Sequence, residues 1–513
     1  MKSVRKTVVL VLSALMALLL VMGTGATKAK AADKSLLRAA MQGEPQVIRS
    51  FDGMTYGGTI ADMFYDGLIY WNSQTDEYLP CLATSWETID PCTMRYHLRD
   101  DVFTKNGTQF TAKDVVYTFK LGQENGVSGV DFAYYDVDNF EIIDDFTIDI
   151  KTFEPFANAF IYLAQTTFYM HIEEDLEAAG GVDALMTDAP DAYGRYLLKE
   201  WVPGDHITAI RNDNYFGEKG YFDEIEVSFI PDDTARYFAV QAGDVDVITY
   251  ATTSQAAEVA NIPELQLFEQ TGASMQVMAF NCAEGKLFNN ETLRKAVVTA
   301  INKDAITQVF TEGYGSPVQI FLPNGSSLFQ EIDPALCSPY DPEAAKALLA
   351  EAGYPDGFEF TLVLPGSFQK IAEVVQANLA DIGVTMNIDA REMASWNESL
   401  RAGDFDAIIV QYSPGNNLQP FYLMDGRVPY TSKGPCQLKS DEWNDLLDQL
   451  YAESDIEAAL PISKQLTEIF AEHVPAACLV SKNFLFIGDA SLTGFYTATK
   501  CDMLNFDEMS IAE

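Results

Sequence analysis

Apolar positions recur at two spacings along this chain, and the clearest succession lies between residues 372 and 420. AEVVQANLADIG places Val374, Val375, Leu379 and Ile382 on one helical face and stops at Gly383, the residue best suited to a left-handed helix end. VTMNID then alternates as a strand, and 394–402 suits a second short helix. DFDAIIVQY is an apolar β-rich run that exits into SPGNNLQP. In an α/β sheet the crevice at the carboxyl ends of the strands is where ligands sit. Residues 412–420, with Tyr412, Ser413, Gly415, Asn416 and Asn417, are therefore the first candidates for ligand contact, although the same residue types also build ordinary surface turns.

The rest of the chain carries the same two periods. A strand is predicted at 35–41, helices at 60–68 and 82–86, and a capped helix after Thr111 and Asp114. Hairpins are predicted around Asp144-Asp145 and Pro203-Gly204, followed by a strand at FDEIEVSFIPD and a helix at DTARYFAVQA that Gly243 closes. A boundary falls near Ala273, before the strand SMQVMAFNC. Residues 287–310 read as one amphipathic helix opened by Asn290, on which Arg294 is expected to pair with neighbouring acids. Asp341-Pro342 opens a helix that Gly353 ends, 441–473 holds two helices, and 477–487 is β-rich.

The N-terminus breaks this pattern. Lys2, Arg5 and Lys6 precede an apolar run from 7 to 22, and Ala29-Lys30-Ala31 has the small-x-small form of a signal-peptidase site. Cleavage is expected after Ala31, leaving an extracytoplasmic chain, and no cysteine in the first 80 residues offers a site for a lipid anchor. Removing five basic residues from a total of 33 leaves 28 against 75 acids, a net charge of −47. Such a field repels nucleic acid and anionic lipid. With 48% hydrophobic and 21% charged residues over 513 positions, the composition is that of a globular chain with ample core and about two to four domains.

Candidate chemistry is sparse. Seven cysteines lack metal spacing, and Cys81 and Cys92 are placed for a local disulfide. The histidines, His97, His171, His206 and His473, are scattered without H-E-x-x-H or an i, i+4 pair, so no protein-built metal site or cofactor is expected. No nucleophile elbow or phosphate-binding glycine loop is present. Carboxylate pairs such as Asp404 and Asp406 follow from composition, and a secreted glycoside hydrolase is the remote enzymatic alternative.

Taken in order, YDGLIYWNSQTDEYLPCLATSWE, FTAKDVVYTF, LKEWVPGDHITAIRNDNYFG, AVQAGDVDVI, FNNETLRKAVVTAINKDAI, DPEAAKALLAEAGYPDGFEFTL and VQANLADIGVTMNI resemble the family 5 extracellular solute-binding proteins, the peptide and nickel receptors of ABC importers. The resemblance implies a two-lobed, periplasmic-binding-protein-like α/β fold of type II with an extra subdomain. Residues 32–75, 191–272 and 489–513 would form the first lobe, 76–190 the inserted subdomain and 273–488 the second lobe, after a signal peptide at 1–31. It implies a monomeric, non-catalytic receptor that closes on a peptide-like solute and presents it to the permease. A nickel-chelate or oligosaccharide ligand is the alternative. By the same likeness Met54 and Thr55 would offer backbone groups to ligand, and Trp396 would line the cleft. Two departures stand out. The position of the family's ammonium-pairing acid falls on Gly415 or Asn416, and the usual G-T-G-P-Y has become Ala192-Tyr193-Gly194-Arg195-Tyr196.

Overall fold

The computed structural model describes residues 35–48, 55–72, 75, 77–125, 132–155, 158–322, 326, 328–412, 421, 423–425, 427, 430, 434–453, 456–498 and 503–512. Its spine is a pair of long antiparallel strands, Leu265–Phe280 and Ala476–Asp489, that pair from Leu265 opposite Asp489 to Ala279 opposite Ala476. The ladder loses register between Gln270 and Ser274. On either side of that irregularity the chain feeds a different core.

Toward the first end, Val247–Ile248 joins Ala476–Asp489, then Leu36–Met41, Glu224–Phe229, His206–Arg211 and Tyr196–Val202 extend the sheet. Toward the other end, Ala407–Tyr412 joins Leu265–Phe280, followed by Glu359–Pro365 and Thr385–Arg391, while Gly315–Pro317 lies along Ala476–Asp489. One large apolar cluster gathers residues from Leu37 to Phe229 with Phe486, Leu492, Phe495, Leu504, Phe506 and Met509. A second gathers residues from Met275 to Val480. The four-stranded sheet of Ala83–Asp90, Thr93–Leu98, Thr147–Lys151 and Glu141–Asp144 stands apart in hydrogen bonding, yet its apolar residues belong to the first cluster.

Several local expectations change. Residues 83–90 are a strand, because they pair antiparallel with 93–98 from Ala83 opposite Leu98 to Asp90 opposite Thr93, and a helix would leave that edge unpaired. The first helix is Thr55–Ala61, ahead of the expected 60–68. The single helix at 287–310 is two, Glu291–Thr299 and Lys303–Thr311, because the Asn302 side chain accepts from Ala305 N and opens a second helix. The strand expected to begin at Ser274 starts at Leu265 and runs unbroken past Ala273. Cys81 and Cys92 are separate free thiols. Arg294, 1% exposed, pairs with no acid among the described residues. Its guanidinium donates to the carbonyls of Phe288, Asn289, His473 and Val474 at 2.6–3.2 Å, stitching the Glu291–Thr299 helix to the chain entering the long C-terminal strand.

Candidate functional site

Strand direction locates the site. Leu265–Phe280 runs from the first core into the second, and Ala407–Tyr412 pairs with it antiparallel, so Tyr412 lies opposite Met275, beside the crossing. Glu359–Pro365 and Thr385–Arg391 are parallel to Ala407–Tyr412 and point the same way. In the first core, Val247–Ile248 runs antiparallel to Ala476–Asp489 and parallel to Leu36–Met41. The carboxyl ends of both sets of strands therefore face each other across the two crossing strands. This is the crevice in which open α/β sheets bind ligands.

Hydrogen bonds fix the elements that lead to the crevice. Gly403 ends the Met393–Ala402 helix at φ 62°, and a side chain there would meet the Tyr430 ring at 2.5 Å. Its carbonyl accepts from Asn281 Nδ2 and Lys286 Nζ at 3.2 and 3.1 Å, anchoring the amino end of the Ala407–Tyr412 strand, the end away from the crossing. Across the crevice, the Arg236 guanidinium, 0% exposed, donates to the carbonyls of Thr249 and Tyr250 at 3.0 and 3.1 Å, and to those of Ile230 and Pro231. Tyr250 is held at φ 56°, a conformation that non-glycine residues rarely adopt. Its ring stands edge-on to Tyr56, 6.1 Å away, and to Phe484 of the crossing strand, 6.2 Å away. Three half-buried aromatic rings thus line the junction.

Beside the crossing strands lies a cavity of 820 Å³. Val318, Ile320, Leu322, Phe329 and Ile332 supply much of its apolar lining, and Glu331 is its only acid among the described residues. Ser481, from the crossing strand, is 3% exposed and lines it with its hydroxyl unpaired by any described protein group. Behind the wall Lys303 Nζ donates to the carbonyl of Val318 and to Gln319 Oε1, each at 2.9 Å, and burial pulls its pKa down. The volume is that of a pocket for a small organic ligand. The 312–339 stretch that builds it carries no regular period. Its legible signals were the turn residues Gly313 and Gly315 and the spaced prolines Pro317, Pro334 and Pro339.

The predicted site residues fare differently. Met54, Ser413, Gly415, Asn416 and Asn417 lie outside the described residues. Thr55 begins the Thr55–Ala61 helix. Tyr412 occupies the expected strand end at the crossing, but its ring is 1% exposed, and burial pushes its hydroxyl pKa up. Trp396 is 7% exposed and belongs to the second core, with its indole N–H unpaired. In this conformation Trp396 is a packing residue, whereas Met393, one turn earlier, is 56% exposed.

The profile described as bacterial extracellular solute-binding proteins, family 5 Middle, matches residues 77–432. Heme-binding protein A of Haemophilus influenzae is 27% identical over 457 residues, covering 83% of this chain and 82% of its own. The dipeptide-binding protein of Escherichia coli K12 is 25% identical over 465 residues, covering 84% and 85%. The structure of HbpA2 from Haemophilus parasuis superposes with a TM-score of 0.82 at 21% identity, covering 93% of this chain and 100% of that one. The two-lobed type II fold is thus shared with solved periplasmic binding proteins. With more than half of its length matched, the chain belongs to the bacterial extracellular solute-binding proteins, family 5.

Proposed function

We propose that this chain is the extracytoplasmic, non-catalytic receptor of an ABC importer, exported by cleavage after Ala31, and that as a monomer it closes its two lobes on a peptide-like solute. The observation that carries this reading is the opposition of strand carboxyl ends across the crossing strands, next to a cavity of 820 Å³. Extended peptides bind such sites through main-chain hydrogen bonds, with side chains in roomy pockets. The mostly apolar 820 Å³ cavity suits a side chain of that kind. Met54 and Thr55, and Ser413, Gly415, Asn416 and Asn417, which follow Tyr412 in the sequence, are the proposed polar contacts. The lobes divide on this reading at 32–75, 191–272 and 489–513 against 273–488, with 76–190 as an insertion.

The lining of the cavity favours one second reading. Its wall is mostly apolar, with one acid among the described residues, which also suits heme, the ligand named for the heme-binding relative. Thermal unfolding of the mature protein with a peptide library and with heme separates the two. Ligand at a hundred times Kd is expected to add about 2.7 kcal/mol of stability. A rise with peptides supports the first reading, a rise with heme alone supports the second, and no rise with either removes both.

A further inference from the structure

The 820 Å³ cavity holds one group that its apolar lining does not account for. Ser481 is 3% exposed, yet no described group pairs with its hydroxyl. Strand register shows which way this side chain turns. Ser316 stands directly opposite Ser481 on one flank, and Met275 stands opposite it on the other and faces Tyr412 in turn. Directly opposed residues share a face of a sheet. Ser316 and Ser481, which both line the cavity, therefore lie on one face of the sheet, level with the carboxyl end of Ala407–Tyr412.

The other polar groups of the lining are engaged, exposed or uncharged. Gln319 Oε1 accepts from Lys303 Nζ, which also donates to the Val318 carbonyl, each at 2.9 Å. Lys303 itself is 7% exposed and is not part of the lining. Cys337 is half-buried, and burial pushes its thiol pKa up, which keeps it uncharged at neutral pH. Glu331 is exposed. The cavity thus offers a largely apolar space beside one buried hydroxyl that can both donate and accept.

Resting on the reading that the solute is a peptide, we propose that Ser481 is a specificity-determining residue. The cavity takes a large uncharged side chain with a hydrogen-bonding tip, tyrosine above all, and Ser481 Oγ distinguishes tyrosine from phenylalanine. Either ring removes the same apolar lining from water, so burial of that lining does not separate the two. The phenol hydroxyl supplies the partner that Ser481 lacks, whereas a phenylalanine ring seals the serine hydroxyl away unpaired, an arrangement that folded proteins avoid. Sites built around such a group discriminate against the analogue that lacks the matching one. An acidic side chain is disfavoured more strongly, since its charge would lose water in an apolar space that already carries Glu331.

Calorimetric titration of the mature protein tests this with tripeptides of alanine that carry tyrosine, phenylalanine or glutamate at the first, second or third position. At one position at least, the tyrosine peptide is expected to bind about three- to tenfold more tightly than the phenylalanine peptide, with glutamate weakest. In Ser481→Ala that advantage is expected to vanish while the phenylalanine peptide stays within about twofold of its parent affinity. The hydroxyl has no partner to orphan, so Tm should not fall in this variant. Equal binding of tyrosine and phenylalanine peptides at every position, or an advantage that survives Ser481→Ala, overturns the proposal. Ser316→Trp fills the cavity from an exposed position and is expected to weaken the favoured peptide by more than about tenfold. An unchanged affinity there places the side chain elsewhere and also overturns the proposal. If none of the peptides binds, the peptide reading falls and this inference with it, whereas equal binding of the tyrosine and phenylalanine peptides removes the inference alone.

Discussion

Arg236→Ala is expected to lower unfolding free energy by about 3–5 kcal/mol, the range for removing one partner of a buried charged network. The side chain is fully buried and answers the carbonyls of Ile230, Pro231, Thr249 and Tyr250 as well as Asp233 Oδ1. Without it those carbonyls stay desolvated and unpaired, each at a cost of about 1–3 kcal/mol before relaxation. Lysine has no planar fork, so Arg236→Lys should recover only part of the loss. The consequence reaches the crevice, since Tyr250 is held in a left-handed conformation by the same group. Urea unfolding at unchanged m-value measures the effect. A loss under about 1 kcal/mol would show that the turn holds itself.

Trp396→Ala has the second largest expected effect, about 3–5 kcal/mol, because a buried indole leaves a cavity that a packed core only partly closes. Trp396→Phe discriminates between roles. The indole N–H is unpaired, so replacing it with an apolar ring forfeits no hydrogen bond and should cost less than about 1.5 kcal/mol. If Trp396 only packs, the folded fraction of either variant keeps the ligand-induced gain in stability of the parent. If the ring contacts solute on closure, Trp396→Phe loses that gain while staying folded, which would overturn the packing role inferred here.

Much of the fold was legible where local chemistry and periodicity agree. Asp341 accepts from Glu343 N and Ala344 N to open the Pro342–Glu351 helix, and Gly243 and Gly383 take the positive φ values anticipated for helix ends. Failures came where a partner distant in sequence decided the outcome. Residues 83–90 carry helix-compatible text, but the 93–98 strand claims their backbone. Asn302 lies inside an amphipathic pattern, and only its side chain, turned onto Ala305 N, reveals the break between two helices.

The candidate site was half legible. Ala407–Tyr412 and its exit at the crossing followed from a β-rich run and its turn residues, whereas the large cavity beside it did not, for 312–339 has no period to read. Arg294 was read as a partner of acids because its carbonyl acceptors belong to the backbone, which side-chain patterns do not register.

The loss of register between Gln270 and Ser274 has a mechanical meaning. Two hydrogen-bonded strands resist sliding past each other, since every rung would have to break at once. They yield to flexing where rungs are missing. The missing rungs of Leu265–Phe280 fall at the passage between the two cores, where the paired strands resist flexing least.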